Sequence, residues 1–224
     1  MKLTGKKIAF LGDSITEGSG VKDRANNRYD NVLARTADMQ LIHSDGIGGT
    51  RLAYQRVPSE EPRRDLCFCG RAFNIPLTAD VVVVYGGVND YFHGDAPIGE
   101  KTDLTPATFC GAVRFLMRTL KARFEGKTVV FMTPARCFYK GISDTTPSGR
   151  PMKLADAMPV LGYVDIIKEI GAEEGVAVLD LYRTLPIDPN DPAQREKYTA
   201  DGLHFNDDGH HILAATLKAF LEAL

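Results

Sequence analysis

The sequence lacks any long apolar run. The longest near its start, Ile8 to Leu11, is far too short for a signal peptide or a membrane span. A soluble, cytoplasmic protein without a membrane partner is therefore expected. An excess of one charge is also missing: 27 Lys and Arg stand against 29 Asp and Glu, a formal net charge of −2. This balance gives no reason to expect nucleic acid as a partner, and no acidic block forms a tail. Cysteine is scarce, with four residues at positions 67, 69, 110 and 137. No second C-x-x-C pair or histidine cluster accompanies Cys67 and Cys69, so a zinc site is a poor reading. The thiols are expected to be reduced and structural, and none abuts a turn glycine as Ser14 does. The G-x-S-x-G of a nucleophile elbow does not occur, which disfavours an α/β-hydrolase. No linker, repeat or low-complexity stretch divides the 224 residues. A single domain over 1–224 is expected, large enough to bury a core without disulfides or metals.

What is present is an alternation of strand and helix patterns. Lys7 to Leu11, Leu41 to Ile42, Val81 to Tyr85, Thr128 to Met132 and Val176 to Leu181 read as short β-branched strands bounded by Gly, Pro or Asp. The run Val81 to Val84 is apolar on both pleat faces, as in the centre of a covered parallel sheet. Thr105-Pro106 reads as the start of a helix that buries Phe109, Val113, Leu116, Leu120 and Phe124 and stops at Gly126. Further helices are expected from Val160 to Gly175, from Asn206-Asp207 to the end, and between Arg28 and Met39. This alternation predicts a three-layer α/β domain. Its irregular stretches, Tyr54 to Pro76, Tyr91 to Thr105 and Ala135 to Pro159, follow strand C-termini, where such sheets place ligands.

Three patches end apolar runs and carry chemistry. Gly12-Asp13-Ser14 places a serine just past the first strand, where it is either a nucleophile or a helix N-cap. Gly87-Val88-Asn89-Asp90 follows the central strand; the Asn89 amide is either an oxyanion donor or part of an Asx turn. Asp201-Gly202-Leu203-His204 pairs a carboxylate with an imidazole in a loop before the last helix. The carboxylate can fix one ring nitrogen, leaving the other to take a serine proton. His43, His93, His210 and His211 lack such a setting and receive no catalytic role. Ser44-Asp45-Gly46-Ile47-Gly48-Gly49 is a glycine-rich loop able to offer a backbone N–H, or simply a tight turn. It has neither the Lys-Ser or Lys-Thr of a phosphate loop nor a G-x-G-x-x-G.

Taken together these blocks resemble the SGNH hydrolases, the GDSL-type esterase/lipase family. Gly12-Asp13-Ser14-Ile15-Thr16-Glu17-Gly18 is similar to the family's opening block, and the others follow in order over nearly the whole chain. The resemblance implies a flavodoxin-like sandwich: a five-stranded parallel sheet of order 2-1-3-4-5 with helices on both faces. It implies Ser14 as nucleophile, His204 as base and Asp201 as its orienter. The oxyanion hole would be the Ser14 and Gly49 N–H groups and the Asn89 side chain. Ser44 stands where the family often has asparagine, which leaves Gly46 and Gly48 as alternatives to Gly49.

The function this implies is hydrolysis of short-chain, chiefly acetyl, carboxylic esters through an acyl-enzyme, with no metal or organic cofactor. Activity should fall as His204 protonates in acid. The partner is a small ester, with an acylated sugar as one candidate. Arg136, Lys140, Asp144, Arg150 and Lys153 suit a hydrated substrate, and Tyr91, Phe92, Phe138 and Tyr139 either stack on a sugar or pack beneath the loop. A thioesterase or acyltransferase would use the same parts. A non-catalytic binding module would be expected to have lost one of Ser14, Asp201 or His204. A flavodoxin-like nucleotide-binding or signalling domain would bind a phosphorylated ligand and leave Ser14 unlabelled.

Overall fold

A computed structural model describes residues 1–147 and 157–224. Arg150 and Lys153 lie outside the described residues. The strands are β1 (Lys7–Gly12), β2 (Gln40–Gly46), β3 (Val81–Tyr85), β4 (Thr128–Met132), β5 (Phe138–Tyr139), β6 (Ile142–Ser143) and β7 (Ala177–Leu179). The helices are α1 (Ser14–Glu17), α2 (Arg24–Asn27), α3 (Tyr29–Thr36), α4 (Phe68–Arg71), α5 (Val88–Phe92) and α6 (Phe109–Arg123). They continue as α7 (Val160–Glu174), α8 (Leu181–Thr184), α9 (Pro192–Tyr198) and α10 (Asp207–Ala223).

Five strands form one parallel sheet in the order β2-β1-β3-β4-β7. Since β5 and β6 pair only with each other, this is the 2-1-3-4-5 order expected of the main sheet. Alternating side chains feed two cores. Ala9, Leu11, Val82 and Val84 face α6 and α7, whereas Ile8, Phe10, Val81 and Val83 face α3 and α10. Both faces of β3 are thus covered, and each of its valines contributes about 1.5–3 kcal/mol through burial. Among the described residues no helix is long and apolar enough to cross a membrane.

Several boundaries differ from the sequence reading. The long helix after the third strand starts at Phe109, not at Pro106, and ends at Arg123 with Phe124 as its cap. Thr108 is its N-cap, its hydroxyl accepting the Gly111 N–H, while the Pro106 carbonyl accepts the N–H of distant Tyr54. β2 runs on through Ser44, Asp45 and Gly46, so the glycine loop proper begins at Ile47. The last sheet strand stops at Leu179, and Asp180 caps a short helix that takes Leu181 out of the sheet.

Candidate active site

The turns bearing Ser14, Gly49 and Asn89 follow the carboxyl ends of β1, β2 and β3, and Asp201 and His204 reach the same edge from the loop between α9 and α10. Asp13, not Ser14, caps α1: its carboxylate accepts the Ile15 N–H at 3.0 Å. Ser14 is thereby released from capping. Its hydroxyl lies 2.9 Å from His204 Nε2, and His204 Nδ1 lies 2.8 Å from Asp201 Oδ2. The second Asp201 oxygen accepts the backbone N–H groups of His204 (2.8 Å) and Leu203 (3.1 Å). Burial alone would raise the Asp201 pKa, but the His204 ring and these backbone donors outweigh it and hold the carboxylate below its ordinary range. Asp13 behaves oppositely. It is fully buried, one carboxylate oxygen has no hydrogen-bond partner among the described residues, and burial drives its pKa up from 3.8 to about 6. The Ile15 N–H and the nearby His204 and Arg71 only partly oppose that rise.

The histidine loop is held from both sides. Ala200 N–H donates to the His204 carbonyl at 2.8 Å, and Phe138 N–H on the β5–β6 hairpin donates to the Gly202 carbonyl at 2.9 Å. The same hairpin sets Tyr139 edge-on to the His204 ring, centroids 6.1 Å apart.

Of the three candidate glycines, Gly46 ends β2 beneath α1; a Cβ there would lie 2.2 Å from the Glu17 backbone nitrogen. The Gly48 N–H is taken by the Glu17 carboxylate at 2.9 Å. Those of Ile47 and Thr50 go to the Gly12 and Ile47 carbonyls. Gly49, at φ +77°, has an N–H that bonds to no other described residue. Asn89 sits in α5 and donates to the Thr50 carbonyl at 3.0 Å, so the central strand's turn is tied to the glycine loop. Asp90 strengthens that tie by accepting the Leu52 and Ala53 N–H groups at 2.9 and 3.1 Å.

Ser14, Gly49, Asn89 and His204 all line one cleft of about 370 Å³. Phe92, Tyr139 and Leu203 form its apolar side, and Glu17, Glu61, Arg63, Arg64 and Lys140 make a charged rim. Phe92 and Tyr139 therefore face the cleft. Tyr91 is buried with its hydroxyl on the Ser143 and Thr146 carbonyls, and Phe138 packs under Arg195.

His93 also lines the cleft, a position that sequence reasoning passed over. Its one available signal is its spacing, four residues after Asn89. His43 lies in β2, and His210 and His211 lie in α10, with His210 buried and His211 exposed. All four cysteines are buried free thiols, and burial pushes their pKa values up, that of Cys110 to about 11, which disfavours a thiolate nucleophile. Among the described residues no group of three or more His, Cys, Asp or Glu is placed to hold a metal ion.

Residues 10–212 match the profile of the GDSL-like lipase/acylhydrolase family. A crystal structure of a protein from Lactobacillus plantarum is 31% identical, covers 99% of this chain and 98% of its own, and superposes with a TM-score of 0.77. A lipase/acylhydrolase from Enterococcus faecalis is 22% identical, with 97% and 96% covered and a TM-score of 0.59. A two-domain esterase active on acetylated mannans is 21% identical with a TM-score of 0.62; the match covers 99% of this chain and 49% of that one. No curated protein matches the chain.

Proposed function

The chain belongs to the GDSL-like lipase/acylhydrolase family, and we propose that this ester hydrolase cleaves short-chain carboxylic esters through an acyl-enzyme on Ser14. The observation that carries the reading is the unbroken hydrogen-bonded series from Asp201 through His204 to Ser14. His204 Nε2 takes the Ser14 proton as the oxygen attacks the ester carbonyl. Asp201 keeps the proton on Nδ1 and stabilises the imidazolium that forms. The tetrahedral oxyanion rests on the Ser14 and Gly49 N–H groups and on the Asn89 carboxamide. His204 then protonates the departing alcohol, and water attacks the acyl-serine with the same groups in the same roles.

The acyl group is a short one, acetyl above all, and an acylated sugar is the substrate class that suits the cleft best. The Phe92 and Tyr139 side offers a face for a sugar ring, and the charged rim keeps the entrance hydrated. The likeness to an esterase active on acetylated mannans supports the same direction.

The test is hydrolysis of p-nitrophenyl acetate by the wild type and Ser14→Ala purified side by side, with fluorophosphonate labelling followed by mass spectrometry. Turnover and a single label on Ser14 in the wild type alone are expected. Equal rates for the two proteins would move a non-catalytic binding module to the front. Turnover of p-nitrophenyl butyrate and longer esters at a fraction of the acetate rate is expected; a preference for long chains would remove the deacetylase reading.

A further inference from the structure

We infer that His93 and Arg51 are positioning residues that hold the Asn89 carboxamide with one N–H turned toward the oxyanion. The inference rests on the assignment of Asn89 as an oxyanion donor.

An asparagine side chain can present either its oxygen or its nitrogen to a cleft, and only the nitrogen stabilises a developing negative charge. Something must choose between the two. Here the choice is made by a hydrogen-bonded chain anchored at both ends by groups that act in one direction only. At one end the Thr50 carbonyl, an obligate acceptor, lies 3.0 Å from the Asn89 amide nitrogen. At the other end Arg51 Nη1, an obligate donor, lies 2.9 Å from His93 Nδ1. Nδ1 must therefore carry a lone pair, which puts the neutral ring's proton on Nε2. Nε2 lies 3.1 Å from Asn89 Oδ1, which accepts that proton. Both anchors demand the same orientation of Asn89. One amide hydrogen is spent on Thr50 and the oxygen on His93, so the second amide hydrogen is left for the cleft that Asn89 lines. Successive donation along Arg51, His93 and Asn89 also polarises the amide, making it a better donor.

Arg51 is itself immobilised. It is buried, and its second terminal nitrogen donates to Asp65 at 2.7 Å and to the Ser59 hydroxyl at 2.9 Å. Ser59 returns both its N–H and its hydroxyl to the same Asp65 carboxylate. The segment that carries Arg63 and Arg64 to the cleft rim thus braces the guanidinium from behind. Without His93, the carboxamide would lose the bond to its oxygen and only the Thr50 carbonyl would resist its turning.

The test measures kcat and KM on p-nitrophenyl acetate for His93→Phe, His93→Gln, Asn89→Ala and the double variant His93→Phe/Asn89→Ala, with thermal unfolding of each. Phenylalanine keeps the ring but donates nothing; glutamine can donate an amide N–H to Asn89 Oδ1. Loss of an oxyanion donor costs about 10²–10³-fold in kcat, so His93→Phe should lower kcat by roughly ten- to a hundredfold with KM nearly unchanged. His93→Gln should recover most of that rate. The double variant should be no slower than Asn89→Ala, because His93 acts only through Asn89. A His93→Phe enzyme with wild-type kcat, or losses that multiply in the double variant, would overturn the inference while leaving Ser14 and Asn89 in place. Should His93→Phe lose its fold, His93→Gln at or below a hundredth of the wild-type kcat would overturn it equally. Wild-type rates for Asn89→Ala would instead remove the oxyanion assignment and the inference with it.

Discussion

The Glu17 carboxylate bridges two loops: one oxygen accepts the Gly48 N–H at 2.9 Å, and the other accepts the Arg63 guanidinium at 2.7 Å. Glu17 is the last residue of the short helix that Ser14 begins. The Ser14 helix, the glycine loop and the arginine-bearing segment are therefore held to one another through a single side chain. The bond also consumes the Gly48 N–H, which favours its neighbour Gly49 as the loop's donor to an oxyanion.

Glu17→Ala should lower kcat by loosening the glycine loop from the helix that Ser14 begins. The lost bond to Gly48 is partly solvent-screened and worth about 1 kcal/mol, or roughly fivefold in rate. Glu17→Gln, which keeps an acceptor for Gly48, should remain within about twofold of the wild type on that ground. Steady-state kinetics on p-nitrophenyl acetate checks both, and equal loss in the two variants would show that the charge, not the hydrogen bond, matters.

Asp201→Asn should be nearly as inactive as Ser14→Ala while folding normally. The His204 and Leu203 N–H groups demand an acceptor, so they claim the asparagine oxygen. Its NH₂ group then faces His204 Nδ1 and drives the ring proton to Nε2, where it points at Ser14 and blocks general-base action. A fall in kcat of about 10²–10⁴-fold is expected, with circular dichroism and thermal midpoint close to the wild type. Retention of a tenth or more of the activity would mean that Asp201 does not set the tautomer.

Some of this was legible in the residues alone. Val81 to Tyr85 reads as a central strand because both its faces are apolar and Gly86 and Gly87 end it; the structure keeps those bounds. Ser14, Asp201 and His204 could be named because a serine just past the first strand and a carboxylate three residues before an imidazole are the residue types that acyl transfer needs, and their side chains do meet in one hydrogen-bonded series. What escaped depends on contacts far apart in the chain. Thr105-Pro106 has the local chemistry of a helix start, but the Pro106 carbonyl is engaged by Tyr54. The β5–β6 hairpin turns at Lys140 and Gly141, both at positive φ, and a lysine gives no sign of that. His93 looked like an isolated histidine because its partner Arg51 lies 42 residues away.

The buried Asp13 should make the protein less stable as pH rises. Its pKa is about 6 in the folded protein and 3.8 as an ordinary carboxylate, so below 3.8 it is protonated in both states and carries no penalty. Between those values the folded state binds more protons than the unfolded state, and stability falls as pH increases. At about 1.4 kcal/mol per pKa unit, the full penalty above pH 6 is roughly 3 kcal/mol. Asp13→Asn keeps an acceptor for the Ile15 N–H and removes the titration. Relative to the wild type, it should gain stability between pH 4 and pH 7.5 in urea unfolding; a constant difference would show that Asp13 stays ionised.

His210 should produce the opposite slope in nearly the same range. It is fully buried, its Nδ1 accepts the Tyr29 N–H at 3.1 Å, and its Nε2 has no partner among the described residues. Burial holds its pKa down at about 4 against an ordinary 6.5, although Asp30 and Asp207 pull it upward. Above pH 6.5 the ring is neutral whether folded or not, and its contribution is complete. As pH falls from 6.5 to 4 the unfolded chain gains a proton that the folded ring refuses, and roughly 3 kcal/mol is lost. His210→Asn preserves an acceptor for Tyr29 and does not titrate, so its deficit against the wild type should shrink on acidification from pH 7.5 to 4.5. Because Asp13 gains where His210 loses, the wild type should show a shallow stability profile across this window. Each single variant exposes the slope that the other residue hides. The double variant Asp13→Asn/His210→Asn should be shallow again, and a steep profile there would place the titrating group elsewhere in the chain.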